Sequence, residues 1–150
     1  MITLITNHPI AYESPDHLYP WGTKQDNSTN SNFIEEINNY FNKGPFNFLD
    51  LGCSGGQLVI DMKNLHPENI AVGLEGSDYS VKHKRANWPE YHNQNLFTCD
   101  ITEPFYVKNN NNNIKFDLIT AWEVLEHIAP EQLDRLFQNI YNNLSENGIF

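Results

Sequence analysis

Hydrophobic residues recur every three to four positions in residues 32–42, 57–65 and 130–144. This spacing places the apolar side chains on one face and predicts three amphipathic helices. A weaker pattern of the same kind covers residues 77–86, where Ser77 is a candidate cap. Each of these helices needs an apolar layer against which to bury its stripe.

Short apolar runs without helical spacing lie between these helices, at residues 46–51, 70–74, 96–99 and 116–120. Runs of this length and composition are typical of strands buried on both faces. Residues 149–150 have the appearance of a fifth strand that is just starting. The alternation of strands and helices predicts an α/β fold, with a doubly wound, mostly parallel, Rossmann-like sheet covered by helices on both faces.

The pattern divides the chain into an N-terminal arm with one helix, at residues 1–44, and a Rossmann-like domain, at residues 45–150. Residues 1–31 are rich in Pro, Asn, Ser and Thr and are interpreted as an irregular arm. The asparagine run at 109–113 is interpreted as a flexible loop. The chain stops two residues into the apparent fifth strand. We therefore expect a truncated, incomplete sheet with an unpaired edge at residues 116–122.

The length of 150 residues suits one compact domain, and 19 acidic against 9 basic residues give a formal net charge of −10. This charge argues against a nucleic-acid partner bound through a broad surface, which needs clustered Lys and Arg. The basic run at residues 82–85 is interpreted as a solvated helix face.

Cys53 and Cys99 form neither a disulfide framework nor a zinc motif. No stretch approaches the about 20 apolar residues of a membrane span, so no membrane partner is expected. The N-terminus lacks the features of a signal peptide. Together these features predict a cytoplasmic protein.

The most informative segment for chemistry is residues 48–56, Phe-Leu-Asp-Leu-Gly-Cys-Ser-Gly-Gly, where the first buried strand turns into a helix. Glycines at such a turn allow the backbone to approach a ligand, and the helix N-terminus offers free amides. A nicotinamide dinucleotide site would require glycine in the pattern G-x-G-x-x-G. Counted from Gly52, Ser54 and Gln57 occupy two of those glycine positions, which disfavours a dinucleotide site. A tight turn that binds no ligand is the alternative interpretation.

The same segment resembles motif I of the class I S-adenosylmethionine-dependent methyltransferases, roughly acidic-x-G-x-G-x-G. Asp50, Gly52 and Gly56 match this motif, Ser54 replaces the middle glycine and Gly55 is an additional one. The resemblance implies S-adenosyl-L-methionine as the cofactor and an incomplete version of the family's seven-stranded fold. The cofactor-binding candidates in the turn are Asp50, Gly52, Cys53, Ser54, Gly55 and Gly56.

Acidic residues also follow the next two predicted strands. Glu75, followed by Gly76, can accept hydrogen bonds from both hydroxyls of a ribose. The resemblance implies that Asp100 accepts a hydrogen bond from the adenine amino group, with Ile101 packing on the ring. Because parallel strands end at one edge, we expect Asp50, Glu75 and Asp100 to converge on one crevice. Solvated acids at strand ends are the alternative for the latter two.

Residues 116–128 resemble the family's fourth-strand segment, in which a loop carries Glu-x-x-Glu-His. Here these are Glu123, Glu126 and His127. His127 is the preferred general base, since histidine exchanges protons near neutral pH, and Glu126 either orients it or acts itself. A loop cap made by Glu126 and His127 is the alternative. Trp122 either borders the adenosine pocket or fills the core.

A metal is a further alternative, because methyltransferases acting on the 3′ end of small RNAs use such a segment with another histidine to bind Mg²⁺. No histidine follows His127, so no metal is predicted. Trp21, Gly22 and Thr23 are candidates for a lid over the cofactor or for a packing aromatic. The sequence thus predicts a methyltransferase whose acceptor is a small molecule or a glycan-type metabolite. The alternatives are a truncated, non-catalytic remnant and a nicotinamide dinucleotide-binding domain.

Overall fold

A computed structural model describes residues 1–11 and 31–150. Within them, the strands are β1 (Ile2–Thr6), β2 (Asn47–Leu51), β3 (Ile70–Glu75), β4 (Leu96–Thr98), β5 (Phe105–Asn109), β6 (Asn112–Asn113), β7 (Phe116–Thr120) and β8 (Leu144–Ile149). The helices are α1 (Ser31–Tyr40), α2 (Gln57–Leu65), α3 (Tyr79–Lys82), α4 (Trp88–Tyr91) and α5 (Leu133–Asn143).

The main sheet has five strands in the order β4-β3-β2-β7-β8, and every neighbouring pair is parallel. From β2 the chain adds β3 and then β4 toward one edge of the sheet, whereas β7 and then β8 extend the sheet toward the other edge. This reversal opens a crevice at the carboxyl ends of the strands, where ligands of such folds bind. The predicted α/β, doubly wound, Rossmann-like sheet is confirmed.

The core consists of two apolar clusters, one on each face of the sheet. Successive residues of a strand point to opposite faces, so each buried strand supplies both clusters. One cluster includes Leu49, Leu51, Val72, Leu74, Leu136 and Ile140, the last two from α5. The other includes Ile37 of α1, Phe48, Leu58, Val59, Met62 and Trp88.

A second, three-stranded sheet in the order β1-β5-β6 differs from the sequence-based predictions. The start of the predicted irregular arm is strand β1, which pairs antiparallel with β5 from Ile2↔Asn109 to Thr6↔Phe105. The asparagine run is not a flexible loop, because it forms the tight turn between β5 and β6. Asn110 and Asn111 have φ of 50° and 70°, a backbone conformation that asparagine tolerates better than most residues.

The single helix predicted at residues 77–86 is wrong in extent. Only the single turn of α3 forms there, because Lys84 and Ala86 adopt φ of 52° and 48° and end the helical backbone before α4 begins at Trp88. The suggested cap is present in part, since the Ser77 hydroxyl accepts a hydrogen bond from the Tyr79 N–H at 3.1 Å. The break delivers Asn87 and Trp88 to the interior, where both are buried.

The fifth strand begins earlier than predicted. The predicted helix 130–144 is a 3₁₀ turn at Pro130–Gln132 followed by α5, and β8 starts at Leu144. Strand β8 pairs with β7 at Phe116↔Leu144 and Leu118↔Ile149, with a register shift between these pairs. The expected unpaired edge at residues 116–122 is therefore wrong, because β8 covers this side of β7.

Helix α5 is tied to the chain that follows β4 by buried asparagines. The Asn139 Nδ2 donates to the Ile101 and Glu103 carbonyl oxygens at 2.8 and 2.9 Å. The Asn143 Nδ2 donates to the Phe105 carbonyl oxygen at 3.2 Å. These bonds satisfy backbone acceptors that would otherwise be buried without a partner.

Candidate cofactor site

The turn after β2 lies at the carboxyl edge of the sheet and leads directly into α2. Gly52 and Gly56 have φ of 75° and 81°, and Ser54 has φ of 46°. A Cβ atom at Gly52 would lie 2.4 Å from Val124 Cγ2, and one at Gly56 would lie 2.6 Å from Leu96 Cδ1. Both glycines are therefore required by backbone conformation and by space.

Glu75, the last residue of β3, faces this turn. Its Oε2 accepts a hydrogen bond from the Ser54 backbone N–H at 2.9 Å, and only 6% of the residue is exposed. Burial raises the pKa of its carboxyl, while the backbone amides of Ser54, Ser77 and Gly76 act against that rise. The sequence-based expectation that Glu75 lies beside the turn is confirmed, and its role toward a ribose stays a prediction.

Asp50 lies one residue before the end of β2 and is also buried. Its Oδ1 accepts a hydrogen bond from the Thr120 hydroxyl of β7 at 2.8 Å. Burial raises the pKa of Asp50 to about 7; the Thr120 hydrogen bond lowers it and the nearby charge of Glu75 raises it further. Two acidic side chains are thus close enough to influence each other at the point where the strand order reverses.

This pair of carboxyls fits a cationic cofactor. Within the part of the chain that the structure describes, neither Asp50 nor Glu75 forms an ion pair with a basic side chain. Buried carboxylates without a cation favour the protonated form, and a bound positive charge reverses this preference. S-adenosylmethionine carries a positive sulfonium and an ammonium group. The donor set of this site therefore agrees with the cofactor implied by the sequence.

The remaining turn residues contribute backbone rather than side chains. The Cys53 side chain is fully buried and would lie 2.7 Å from a Cβ at Gly73, on the α2 side of the sheet. Burial raises the pKa of the Cys53 thiol well above its usual range. No side chain caps the start of α2 at Gly56. The first amides of α2 can therefore donate to an anionic or polar group.

Asp100 and Ile101 follow β4 at the same edge of the sheet. The Asp100 Oδ1 accepts hydrogen bonds from the Thr102 N–H at 2.9 Å and the Thr102 hydroxyl at 2.7 Å. The Asp100 N–H donates to the His8 carbonyl oxygen at 2.9 Å. Ile101 is 5% exposed and belongs to the core cluster on the α5 side. The predicted contacts of both residues with an adenine ring stay predictions.

The segment after β7 carries the proposed catalytic residues on an exposed 3₁₀ turn. Glu126 and His127 are exposed. The Val124 side chain packs directly against Gly52. Trp122 is 52% exposed and contacts the Phe33 ring edge-to-face at 5.3 Å. The alternative that Trp122 fills the core is therefore wrong.

In residues 1–11 and 31–150, no group of three His, Cys, Asp or Glu side chains is placed to bind a metal ion. This finding gives no support to the Mg²⁺ alternative at Glu123, Glu126 and His127. Trp21, Gly22 and Thr23 lie outside the described residues.

Sequence reasoning missed several residues that shape the site. Four such residues form hydrogen bonds with predicted site residues: Thr120 with Asp50, Asn87 with Gly55, Trp88 with Ser54, and His8 with Asp100. Thr120 ends the predicted strand at residues 116–120, but its contact with Asp50 depends on the pairing of β2 with β7, which the sequence analysis did not predict. The other three lie at sequence positions without periodicity or motif, so no local signal pointed to them.

The fold, and the glycine turn and acidic residues at the carboxyl edge of the sheet, are those of the class I S-adenosylmethionine-dependent methyltransferases, and comparisons with known proteins agree on this family. The family profile described as "Methyltransferase domain" matches residues 49–150. The chain therefore belongs to the methyltransferase-domain family, whose cofactor is S-adenosylmethionine.

Similar proteins cover most of this chain but are longer than it. A carboxy-S-adenosyl-L-methionine synthase from Campylobacter concisus is 30% identical over 102 residues, which are 67% of this chain and 41% of that protein. An S-adenosylmethionine-dependent methyltransferase from Clostridium acetobutylicum is 28% identical with a TM-score of 0.53, covering 79% of this chain and 46% of that one. A protein from Pyrococcus horikoshii shares the fold at 20% identity, with a TM-score of 0.59 over 89% of this chain and 61% of that one.

The chain thus spans about two fifths of the length of the curated relative from Campylobacter concisus. In residues 1–11 and 31–150, no helix combines the length and apolar character that crossing a membrane requires.

Proposed function

We propose that this chain binds S-adenosylmethionine and transfers its methyl group to a small-molecule or glycan-type acceptor in the cytoplasm. The observation that carries the proposal is the hydrogen bond from the Ser54 N–H to Glu75 at 2.9 Å. It fixes a buried carboxylate beside the glycine turn, with Asp50 close by. When bound, the cofactor supplies an electrophilic methyl group on a positively charged sulfur.

The site residues would divide the work between the two ends of the cofactor. Glu75 would accept hydrogen bonds from the ribose hydroxyls, and Asp100 with Ile101 would contact the adenine. The turn and the first amides of α2 would contact the polar part of the cofactor, on backbone donors. Asp50 would favour the positive charge of the donor from inside the sheet.

Positioning of the two reactants accounts for most of the catalysis in such a transfer. A general base is needed only when the acceptor must lose a proton, and it would contribute about 10²–10⁴-fold. His127 and Glu126, exposed on the turn after β7, are the candidates for this role. The net charge of −10 disfavours a polyanionic acceptor such as nucleic acid.

Calorimetric titration with S-adenosylhomocysteine tests cofactor binding directly. We expect Glu75→Gln to weaken binding by about ten-fold or more, because hydrogen bonds to a charged group are among the stronger ones. Glu68→Gln is the matched control, since Glu68 is exposed at the opposite end of β3. Equal affinity of Glu75→Gln and the unchanged protein would contradict the proposed site. Preference for NAD over S-adenosylhomocysteine would favour the dinucleotide alternative.

A second candidate function is the carboxylation of the cofactor itself, which the similarity to a carboxy-S-adenosyl-L-methionine synthase supports. The two candidates differ in where the new group ends up. Mass spectrometry after incubation with S-adenosylmethionine and a metabolite extract separates them. A methylated acceptor with release of S-adenosylhomocysteine supports methyl transfer. A cofactor heavier by one carboxyl group, which a carboxylic acid of the extract donates as the cofactor's methyl group loses a proton, supports carboxylation.

A further inference from the structure

We propose that Asn87 and Trp88 are positioning residues that hold the cofactor turn in its binding conformation from the interior side. This inference rests on the proposed cofactor binding and extends it to residues that do not themselves touch the cofactor. Neither residue belongs to the glycine motif. Asn87 lies immediately before α4, and Trp88 is the first residue of that helix.

Trp88 holds the carbonyl group of the turn's central residue. Its indole Nε1–H donates a hydrogen bond to the Ser54 carbonyl oxygen at 2.7 Å, and the residue is only 1% exposed. The Ser54 N–H on the other side donates to Glu75. Both peptide groups of Ser54 are therefore fixed, one by the ribose-binding candidate and one by the indole.

Asn87 holds the next residue of the turn and the start of α2. Its backbone N–H and its Nδ2 both donate to the Gly55 carbonyl oxygen, at 3.2 and 3.1 Å. The Nδ2 also contacts the Gln57 Oε1 at 3.2 Å. Asn87 is 6% exposed, so these bonds form in an environment where an unsatisfied amide would be costly.

The identity of Ser54 explains why such bonds are needed. The family motif has glycine at this position, and Ser54 adopts φ of 46°. A left-handed backbone conformation is uncommon for a residue with a side chain and persists when surrounding bonds enforce it. The bonds from Asn87 and Trp88 supply this constraint. They hold the turn in the conformation in which Glu75 can bond to Ser54.

The segment that leads to Asn87 and Trp88 has left-handed backbone conformations at two residues. α3 ends at Lys82, and Lys84 and Ala86, in the link that leads to Asn87, have φ of 52° and 48°. A regular helix through residues 77–86 would carry Asn87 and Trp88 away in another direction. The interruption that sequence patterning did not foresee is thus what brings both donors to the turn.

Affinity for S-adenosylhomocysteine, measured by calorimetry, tests the proposal with two variants. Trp88→Phe removes the indole donor and keeps an aromatic ring, and Asn87→Ala removes the amide donor and keeps the backbone N–H that also donates to Gly55. We expect each to weaken binding by about five-fold, the effect of one neutral hydrogen bond. Phe46→Leu is the control, because Phe46 is buried in the same apolar cluster as Trp88, while its backbone N–H donates to the Asn69 side chain and not to the cofactor turn. It should lower the melting temperature and leave affinity within about two-fold.

A rescue experiment separates positioning from packing. Adding Ser54→Gly to Trp88→Phe should restore most of the lost affinity, because glycine adopts φ of about 50° without strain. A purely structural effect of losing the indole would not respond to this change. In the unchanged protein, the indole N–H resonance of Trp88 should shift in an NMR titration with S-adenosylhomocysteine.

The outcomes are distinguishable. An unchanged protein that does not bind S-adenosylhomocysteine contradicts the proposed function. If the unchanged protein binds, the positioning role is overturned by either variant retaining full affinity, by an equal loss in Phe46→Leu, or by failure of the rescue. Should Trp88→Phe not fold, Asn87→Ala and the indole resonance decide. An indole signal that stays in place while the amides of residues 54–57 shift would also overturn the proposal.

Discussion

At the scale of single residues, the site is governed by the burial of acidic groups. Asp50 sits between two strands with one hydrogen bond from Thr120, and Glu75 lies close enough to raise its pKa further. Burial of a carboxyl group disfavours its charged form and so raises the pKa. The chain therefore maintains, at the place of predicted cation binding, acids whose ionisation costs stability in the absence of a cation.

Asp50 should make the stability of the protein depend on pH. Its pKa is raised from 3.8 to about 7 in the folded state, so between these values the unfolded chain ionises while the folded one keeps the proton. The free energy of unfolding should therefore fall as pH rises through this window, and the loss is complete above pH 7. Urea unfolding should show that Asp50→Asn stabilises the protein more at pH 8 than at pH 5.

Thr120 provides the matched comparison for this titration. Its hydroxyl lowers the pKa of Asp50, so Thr120→Val should shift the pH-dependent loss of stability to higher pH, whereas Thr120→Ser should preserve it. A pH profile of Asp50→Asn that parallels the unchanged protein would contradict the assignment of the titration to Asp50.

Site residues were predictable from the sequence where the feature that marks them lies within a few residues along the chain. Glu75 and the glycine turn were found from strand ends and a local motif, which require only a few neighbouring residues. Asn87 and Trp88 were missed, because their function depends on a turn more than 30 positions away. No periodicity or motif in one sequence encodes such a contact.

At the scale of elements, the spacing of apolar residues identified the helices that bury one whole face and the strands that are buried on both faces. Helices α1 and α2 and all five strands of the main sheet lie where the pattern predicted, with β8 starting earlier. The short, half-buried strand β1 and the turn within the asparagine run were missed. Their pairing partners, rather than their own hydrophobicity, determine that they form strands. The boundary between α5 and β8 lies at Asn143, whose side chain donates to the distant Phe105 carbonyl oxygen, a contact that no local pattern encodes.

The turn after β2 and the loop after β7 should respond together to one substitution. Gly52→Ala places a Cβ 2.4 Å from Val124 Cγ2 in a backbone with φ of 75°. We expect it to lower the free energy of unfolding by about 2 kcal/mol or more, since steric overlap and backbone strain both contribute. Chemical denaturation measures this loss directly.

A second substitution divides the loss into its two causes. Val124→Ala removes the clashing methyl groups but leaves the strained φ, so the double variant should recover only part of the stability. Full recovery would show that φ at Gly52 carries no cost, and no recovery would show that Val124 is not the obstacle. The same loop carries Glu126 and His127, so any methyl transfer should fall with the single variant and recover only in part with the double one.

At the scale of the whole molecule, the first residues are connected to the site through two backbone bonds. After β1, the His8 carbonyl oxygen accepts from the Asp100 N–H, and the Ala11 N–H donates to the Gly76 carbonyl oxygen, both at 2.9 Å. Strand β1 itself pairs with β5 along its full length. The beginning of the chain thus lies at the carboxyl ends of β3 and β4, beside the predicted adenine and ribose positions.

Deletion of residues 1–6 should therefore affect both stability and cofactor binding. It removes the pairing partner of β5 and uncovers Phe105 and Val107, which are 4% and 0% exposed. We expect a large loss of melting temperature and a weaker affinity for S-adenosylhomocysteine. The control Thr3→Ala changes an exposed side chain within β1 and should alter neither. A deletion that binds the cofactor unchanged would show that this strand does not support the site.

The asparagines of α5 have a consequence for the uniqueness of the fold. If only apolar side chains held α5, the helix could shift along its axis by one turn at little cost in free energy. Asn139 and Asn143 can reach the carbonyl oxygens of Ile101, Glu103 and Phe105 only from one axial placement of the helix. Leucine at both positions would increase apolar contact but remove the hydrogen bonds that fix the axial position of the helix. The core would then populate several helix positions of similar free energy instead of one.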